Sequence, residues 1–262
     1  MGGTFPIHFI VIIININKIV FMKCDFSMVH YMDCLDKAIE KGYKIGRIKD
    51  WATFKESEKY VLLRHDVDFN LDYAVDMACW EAAREVKSTY YILMQSEYYN
   101  SLQPDNVEKI KTIHNLGHEI GLHINGESTI TGEHILLENI IGEHILTFSH
   151  HLPLQTSKPN VAPYLIDCRD SMFSEAKFIS DSCRNWREGC MCNFFEYQPF
   201  SKLQILTHPI WWMTNTFDRD EAIRKIELDC TIRLNKSIKW FRDQIPEYLE
   251  RIKNEKKDFR NS

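Results

Sequence analysis

The feature that most restricts how this chain can fold is a regular alternation of short apolar runs with longer segments of helical periodicity. Val61-Leu62-Leu63 is a short apolar run ending in Arg64-His65-Asp66-Val67-Asp68. Asn70 then suits a helix N-cap, and Tyr73, Ala74, Met77, Ala78 and Trp80 predict a helix over residues 71–86. Residues 88–94 are β-rich, 106–116 read as a helix closed by Gly117, 119–124 as strand and 135–145 as helix. Before these, Met28, Tyr31, Met32, Leu35 and Ile39 space a helix within residues 26–41, and Gly42 stops it. After them come strand candidates at Phe178-Ile179 and 203–207, and a long charged helix from about Asp218. Short strands alternating with helices of ten or more residues specify βα units and a parallel sheet.

No Pro-, Gly- or Ser-rich linker divides the chain, so residues 22–262 read as a single domain. Gly132-Glu133-His134-Ile135-Leu136 nearly repeats at Gly142-Glu143-His144-Ile145-Leu146, which reads as coincidence within one helical region. Residues 1–21 read as an extension ahead of a natural start near Met22, with a membrane anchor or an extra strand as alternatives. Their apolar stretch is too short and too interrupted for a spanning helix, and no small-residue cleavage site follows it. No stable membrane association is therefore expected, and the oligomeric state is left open.

The formal net charge of −5 carries no basic surplus, which sets nucleic acid aside as a partner. Eight cysteines without CxxC spacing read as reduced thiols of a cytoplasmic protein. Cys190-Met191-Cys192 is their closest pair, by itself a weak signal for a metal or redox site.

A parallel sheet builds its chemistry at the C-terminal strand ends, and here polar residues gather at four of them. Residues i and i+2 of a strand share a face, so Asp66 and Asp68 point into one space. Two adjacent carboxylates repel unless a cation or a shared proton lies between them; a solvated loop is the bland alternative. Residues 119–122 deliver His123 to a second strand end, and 205–207 deliver His208, with Pro209 stopping the strand. Ser149-His150-His151 marks a further end. A lone histidine in such a place is more often packed than ligating, but with Asp68 presented nearby, imidazole and carboxylate together suit zinc or a neighbouring metal. His118 precedes its strand and reads as structural.

These elements together resemble the polysaccharide deacetylase family, the NodB-homology group of carbohydrate esterases, in a divergent form carrying Arg-His-Asp-Val-Asp. The resemblance runs from about Asp25 to about Trp212. It rests most on Gly117-His118-Glu119-Ile120-Gly121-Leu122-His123, with Asp181-Ser182-Cys183-Arg184-Asn185-Trp186-Arg187-Glu188-Gly189 and Leu206-Thr207-His208-Pro209 in support. It implies an α/β fold, a distorted (β/α) barrel with fewer than eight parallel strands, and one divalent metal of the zinc type. It also implies Asp66 as general base, Asp68 and His123 as metal ligands and His208 as the group that protonates the leaving atom. Trp186 and Arg187 fall where the family lines its substrate groove and orients the base.

The sequence departs from the family at position 127, where the second metal histidine is replaced by Glu127, and in the third motif, where Ser149-His150-His151-Leu152-Pro153 stands. Either His151 or the Glu127 carboxylate completes the metal set, and His151 is preferred because it ends a strand. The resulting expectation is a cytoplasmic, metal-dependent hydrolase that removes acetyl from an N-acetylated sugar or saccharide intermediate. The alternatives are a C–N hydrolase for a small non-peptide amide, and a catalytically decayed carbohydrate-binding or scaffold protein.

Overall fold

The structure is a computed structural model describing residues 24–258 apart from 55, 126–131, 152–160 and 217, with side chains described through residue 254. The readings of residues 1–21 and of Glu127 lie outside the described residues.

In chain order the elements are α1 (Met28–Glu40), β1 (Lys44–Gly46), α2 (Trp51–Phe54), β2 (Tyr60–Val67), α3 (Leu71–Ala82), β3 (Thr89–Leu93), α4 (Pro104–Asn115) and β4 (Glu119–Ile124). There follow α5 (Glu133–Ile141), β5 (Thr147–His150), β6 (Ile166–Asp167), β7 (Lys177–Ser180), α6 (Met191–Tyr197), β8 (Lys202–Thr207), α7 (Pro209–Met213) and α8 (Arg219–Asp258). Seven strands lie in the order β6-β5-β4-β3-β2-β8-β7, and three-residue β1 pairs with the start of β2 beside that row. Every pairing is parallel.

The pleat sorts side chains into two layers. Val61, Leu63, Tyr90, Ile92, Ile120, Leu122, Leu203 and Ile205 face the helices and join the large core with α1, α3 and α4. The alternate residues Tyr60, Leu62 and Tyr91 face inward and pack with Cys168, Phe173 and Ala176 from the crossing between β6 and β7. That crossing is tied to the opposite side of the row, where Gln204 Nε2 donates to Cys168 O at 2.9 Å. The sheet is thus a curled, incompletely closed (β/α) barrel, with β6 and β7 at its edges among the described residues.

Inside the barrel the layers are stacked. At the bottom, buried Glu119 accepts from Thr89 Oγ1 and Thr147 Oγ1, each at 2.7 Å. One level up, the Tyr91 ring crosses the interior and donates to Thr147 Oγ1 at 3.0 Å. Gly121 makes room for it: a Cβ there would stand 2.4 Å from Tyr91 Cε1. The top level, at the C-terminal strand ends, carries the chemistry described below.

On the outer face, buried Glu81 of α3 is a polar anchor. It accepts from Tyr31, from Ser88 Oγ at 2.6 Å and from Tyr90 Oη at 2.9 Å, and its Oε1 lies 2.9 Å from His65 Nε2. Burial pushes this carboxyl up, but the charge and contact of His65 outweigh it and hold Glu81 down to about 2. His118 is buried at the N-terminal side of β4, bonded to Ser88 and Ala78 O, a structural histidine.

Most elements match their sequence spacing, and the differences have local causes. β2 extends through Arg64-His65-Asp66-Val67 because it is sandwiched between β8 and the successive partners β1 and β3. α5 ends at Ile141, because Gly142 adopts a left-handed C-cap (φ 76°) while Gly132 stands at the N-cap. The two near-repeat glycines therefore bracket one helix. Among the described residues no helix is long and apolar enough to cross a membrane.

Candidate metal centre and active site

Five strands contribute to one space. Asp66 is inward on β2 and Asp68 follows the strand end; His123 is the penultimate residue of β4; Ser149 is inward on β5 and His151 follows it. His208 follows β8, and Asp181 follows β7. The parallel register holds Leu93 beside His123 and His123 beside Ser149, so these side chains share a height in the barrel.

Asp68 is the centre. Its Oδ1 lies 3.1 Å from His123 Nε2 and 3.1 Å from His151 Nδ1. Its Oδ2 lies 3.9 Å from His208 Nε2. Burial pushes the Asp68 carboxyl up, and the hydrogen bonds from His123 and His151 more than reverse this, so it stays ionised well below the usual carboxylate range. The ligating atoms of Asp68, His123 and His151 all lie within 4.8 Å of one another.

Ser149 explains the orientation of His123. A hydroxyl has one proton to give, and Ser149 Oγ gives it to Asp66 Oδ1 at 3.2 Å. It must then accept from His123 Nδ1, 2.6 Å away. His123 Nε2 is thereby turned toward the Asp68 oxygen, and the position between them is held by a proton, as in the hydrogen bond above, or by a metal ion in its place. A hydrogen-bonded far nitrogen is the usual support of a metal-ligating imidazole. Two nitrogens and a carboxylate oxygen form a donor set that fits zinc or a neighbouring divalent ion. Asp66 Oδ2 stands 3.8 Å from the same His123 Nε2, beside the ligands rather than among them.

The neighbouring histidine pair is sorted by strand parity. His151 turns to Asp68, while His150 turns to Asp167, with Nε2 2.8 Å from Oδ2. His208 is held from behind by fully buried Asp181. Asp181 Oδ1 lies 2.6 Å from His208 Nδ1, and its Oδ2 accepts from His208 N at 3.1 Å and from Trp212 Nε1 at 2.8 Å. Burial disfavours the charged imidazole, but the Asp181 carboxylate outweighs it, and His208 is raised to about 9.

Asp66, His151, His208, Trp186 and Arg187 all line one cleft of about 520 Å³, within the usual range for a small-molecule site. Arg187 is exposed on its rim. The guanidinium that touches Asp66 is that of buried Arg64, with Nη1 3.3 Å from Oδ1. Sequence reasoning assigned no role to Arg64, Ser149 or Asp181. Arg64 and Ser149 had one readable signal: each stands two residues before or after a candidate, and so on the same strand face.

No protein-family model matches the sequence, and no curated protein matches it. Solved structures do. One is a CE4 family pseudoenzyme from Bacillus anthracis, at 14% identity and a TM-score of 0.40, with 66% of this chain covering 62% of that one. The likeness is to carbohydrate esterase family 4 proteins. The peptidoglycan deacetylase PdaC from Bacillus subtilis aligns at 15% identity and a TM-score of 0.37, covering 72% of this chain and 98% of that one. A family 4 acetyl xylan esterase from Clostridium thermocellum in complex with a cobalt ion aligns at 16% and 0.37, covering 68% and 83%. The chain spans less than two thirds of the length of the pseudoenzyme.

Proposed function

We propose that this protein is a metal-dependent deacetylase that hydrolyses the amide of an N-acetylated sugar or saccharide intermediate. The observation that carries the reading is the convergence of the Asp68, His123 and His151 ligating atoms within one 4.8 Å cluster, with Asp66 and carboxylate-backed His208 beside it. A divalent metal held by these three side chains supplies Lewis-acid polarisation of a carbonyl and a lowered pKa for water.

The chain's own residues supply the proton chemistry. Asp66 lies within reach of that position and is acceptor-only when ionised, so it takes the proton of the attacking water. Arg64 and Ser149 fix its Oδ1 from two sides, leaving Oδ2 directed toward the ligand cluster. His208 is protonated at neutral pH by virtue of Asp181, and its Nε2 faces the site, so it delivers a proton to the departing amine nitrogen. Acetate and an amino sugar are the products. Trp186 and Arg187 at the cleft wall offer a ring and a cation to a sugar. The eight free thiols support a reducing, cytoplasmic setting.

The test is acetate release from a panel of N-acetylated monosaccharides, oligosaccharides and small amides by zinc- or cobalt-loaded protein. Deacetylation of sugars that falls by 100-fold or more in Asp66→Asn and His208→Ala supports the reading, that being roughly the size of one lost proton transfer. Turnover of small amides alone moves the assignment to a C–N hydrolase. No turnover by metal-loaded, folded protein leaves a carbohydrate-binding role.

A further inference from the structure

A second cluster of metal-ligating side chains lies on the other side of the core, and the deacetylase reading makes no use of it. α1 presents His30 and Cys34, spaced i and i+4 and so on one helix face. Some 160 positions later, Cys190 stands at the N-cap of α6 and Cys192 in its first turn. The four ligating atoms lie within 4.8 Å of one another. His30 Nε2 is 3.3 Å from Cys190 Sγ and 3.7 Å from Cys34 Sγ. We propose that His30, Cys34, Cys190 and Cys192 form a structural zinc site that staples α1 to α6.

The two separations from His30 fit a tetrahedral ion. Bonds of about 2.3 Å to sulfur and about 2.0 Å to nitrogen set ligand atoms roughly 3.5–3.8 Å apart, and both measured separations fall close to that. The donor set separates the two clusters chemically. Three thiols and one imidazole are soft and select zinc or a similarly thiophilic ion, whereas the Asp68 cluster offers no sulfur. Four protein donors close the coordination sphere, which marks a structural ion rather than a catalytic one. The setting agrees: the three cysteines are buried and bear free thiols, and none is exposed for redox exchange. Three thiols and the imidazole complete a four-donor sphere.

The placement gives the ion a purpose. α1 begins the described fold and α6 precedes β8, so a bond between them closes a loop of most of the barrel. The His30 ring also stacks on buried Trp212, with centroids 6.3 Å apart, and Trp212 Nε1 is the donor that holds Asp181. The staple therefore backs the residue that orients His208. Cys24 borders the cluster, against Cys190 and His30, but is not one of the four mutually close donors.

The experiment is cobalt(II) loading of the reduced, full-length protein, followed by absorption spectroscopy and elemental analysis of the zinc form. Thiolate-to-cobalt charge transfer in the near ultraviolet, together with intense tetrahedral visible bands, is expected, and among the described residues this is the one ligand cluster that contains thiols. In an Asp68→Ala/His123→Ala background one zinc per chain should remain. Adding Cys190→Ser/Cys192→Ser should remove it, whereas Cys24→Ser should leave it in place. If the cysteine variants do not fold, the cobalt spectrum of the unaltered chain still decides. A folded, reduced protein without thiolate charge transfer overturns the proposal. So does zinc content that survives the cysteine changes, or a native disulfide joining any two of Cys34, Cys190 and Cys192.

Discussion

Replacing Asp181 with Asn isolates the device that keeps His208 protonated. In the unaltered protein, burial works against the imidazolium and the Asp181 carboxylate overrides it, so His208 titrates at about 9 rather than 6.5. That rise corresponds to roughly 3 kcal/mol of preferential binding of the proton. Asn keeps the shape and removes the charge, leaving burial opposed only by the more distant Asp68 and Asp66 carboxylates, so His208 should fall from about 9 to near its ordinary value of 6.5. At pH 7.5 its protonated fraction then falls from nearly all to roughly a tenth or less. Proton delivery to the leaving nitrogen should fall at least tenfold at that pH, with a smaller loss near pH 6 and the alkaline limb moved to lower pH.

The direct assay is an NMR titration of the His208 ring in metal-free protein, which needs no substrate. Bound metal brings positive charge nearby and lowers both values without changing the direction of the difference. Stability should follow the same linkage. A group raised in the folded state contributes fully below its unfolded pKa, and that contribution is lost as pH rises through about 9. The Asn variant should accordingly be less stable by a few kcal/mol at pH 6, and the gap should narrow as pH rises above about 6.5 and be nearly closed by about pH 9. If His208 titrates near 6.5 in the unaltered protein, or identically in the two, the reasoning is refuted.

Three further changes test other layers. His151→Ala removes one of the nitrogens on Asp68 and should lower metal affinity at this site by at least roughly 100-fold while the fold persists, read by competition with a chelating dye. Glu81→Gln removes the charge facing His65 in a fully buried network and should cost about 3–5 kcal/mol in urea unfolding. Because Glu81 is depressed to about 2, the unaltered protein should lose stability as pH falls from about 4.5 toward 2, and the Gln variant should lack that part of the slope. Gly121→Ala drives a methyl to within 2.4 Å of the Tyr91 ring and 3.0 Å of Thr147 O. It should destabilise by about 1–3 kcal/mol, measured as a lower denaturation midpoint at unchanged m-value.

The barrel was legible because its signals are local. A buried parallel strand reads as an apolar run, its helix carries a cap and a stop, and strand parity tells which side chain faces inward; the strand-end places of Asp66, Asp68, His123 and His208 follow from those rules, and the family resemblance supplied the roles proposed for them. What could not be read is whatever depends on the closing of the sheet. Arg64 reaches Asp66 along its own strand, but Ser149 joins His123 to Asp66 across three strands, and Asp181 meets His208 across the β7–β8 pair. Their chemistry exists only once the register is set. The thiol cluster is the extreme case. Cys190-Met191-Cys192 carries half a zinc site and nothing nearby completes it; the other half, His30 and Cys34, is brought in by the packing of α1 on α6. His30 has no strand end or motif to single it out. β2 runs longer than its apolar core because it gains partners on both sides, which local propensity does not record.

The claim on which the rest depends is that Asp68, His123 and His151 hold one metal ion. Anomalous diffraction at the zinc edge, from crystals of the full chain grown with zinc, tests it most directly. The account predicts an anomalous peak bonded to Asp68 Oδ1, His123 Nε2 and His151 Nδ1, at about 2.0–2.2 Å from each. Zinc-saturated crystals with well-ordered side chains and no peak among these three atoms would contradict it, whatever the thiol cluster binds.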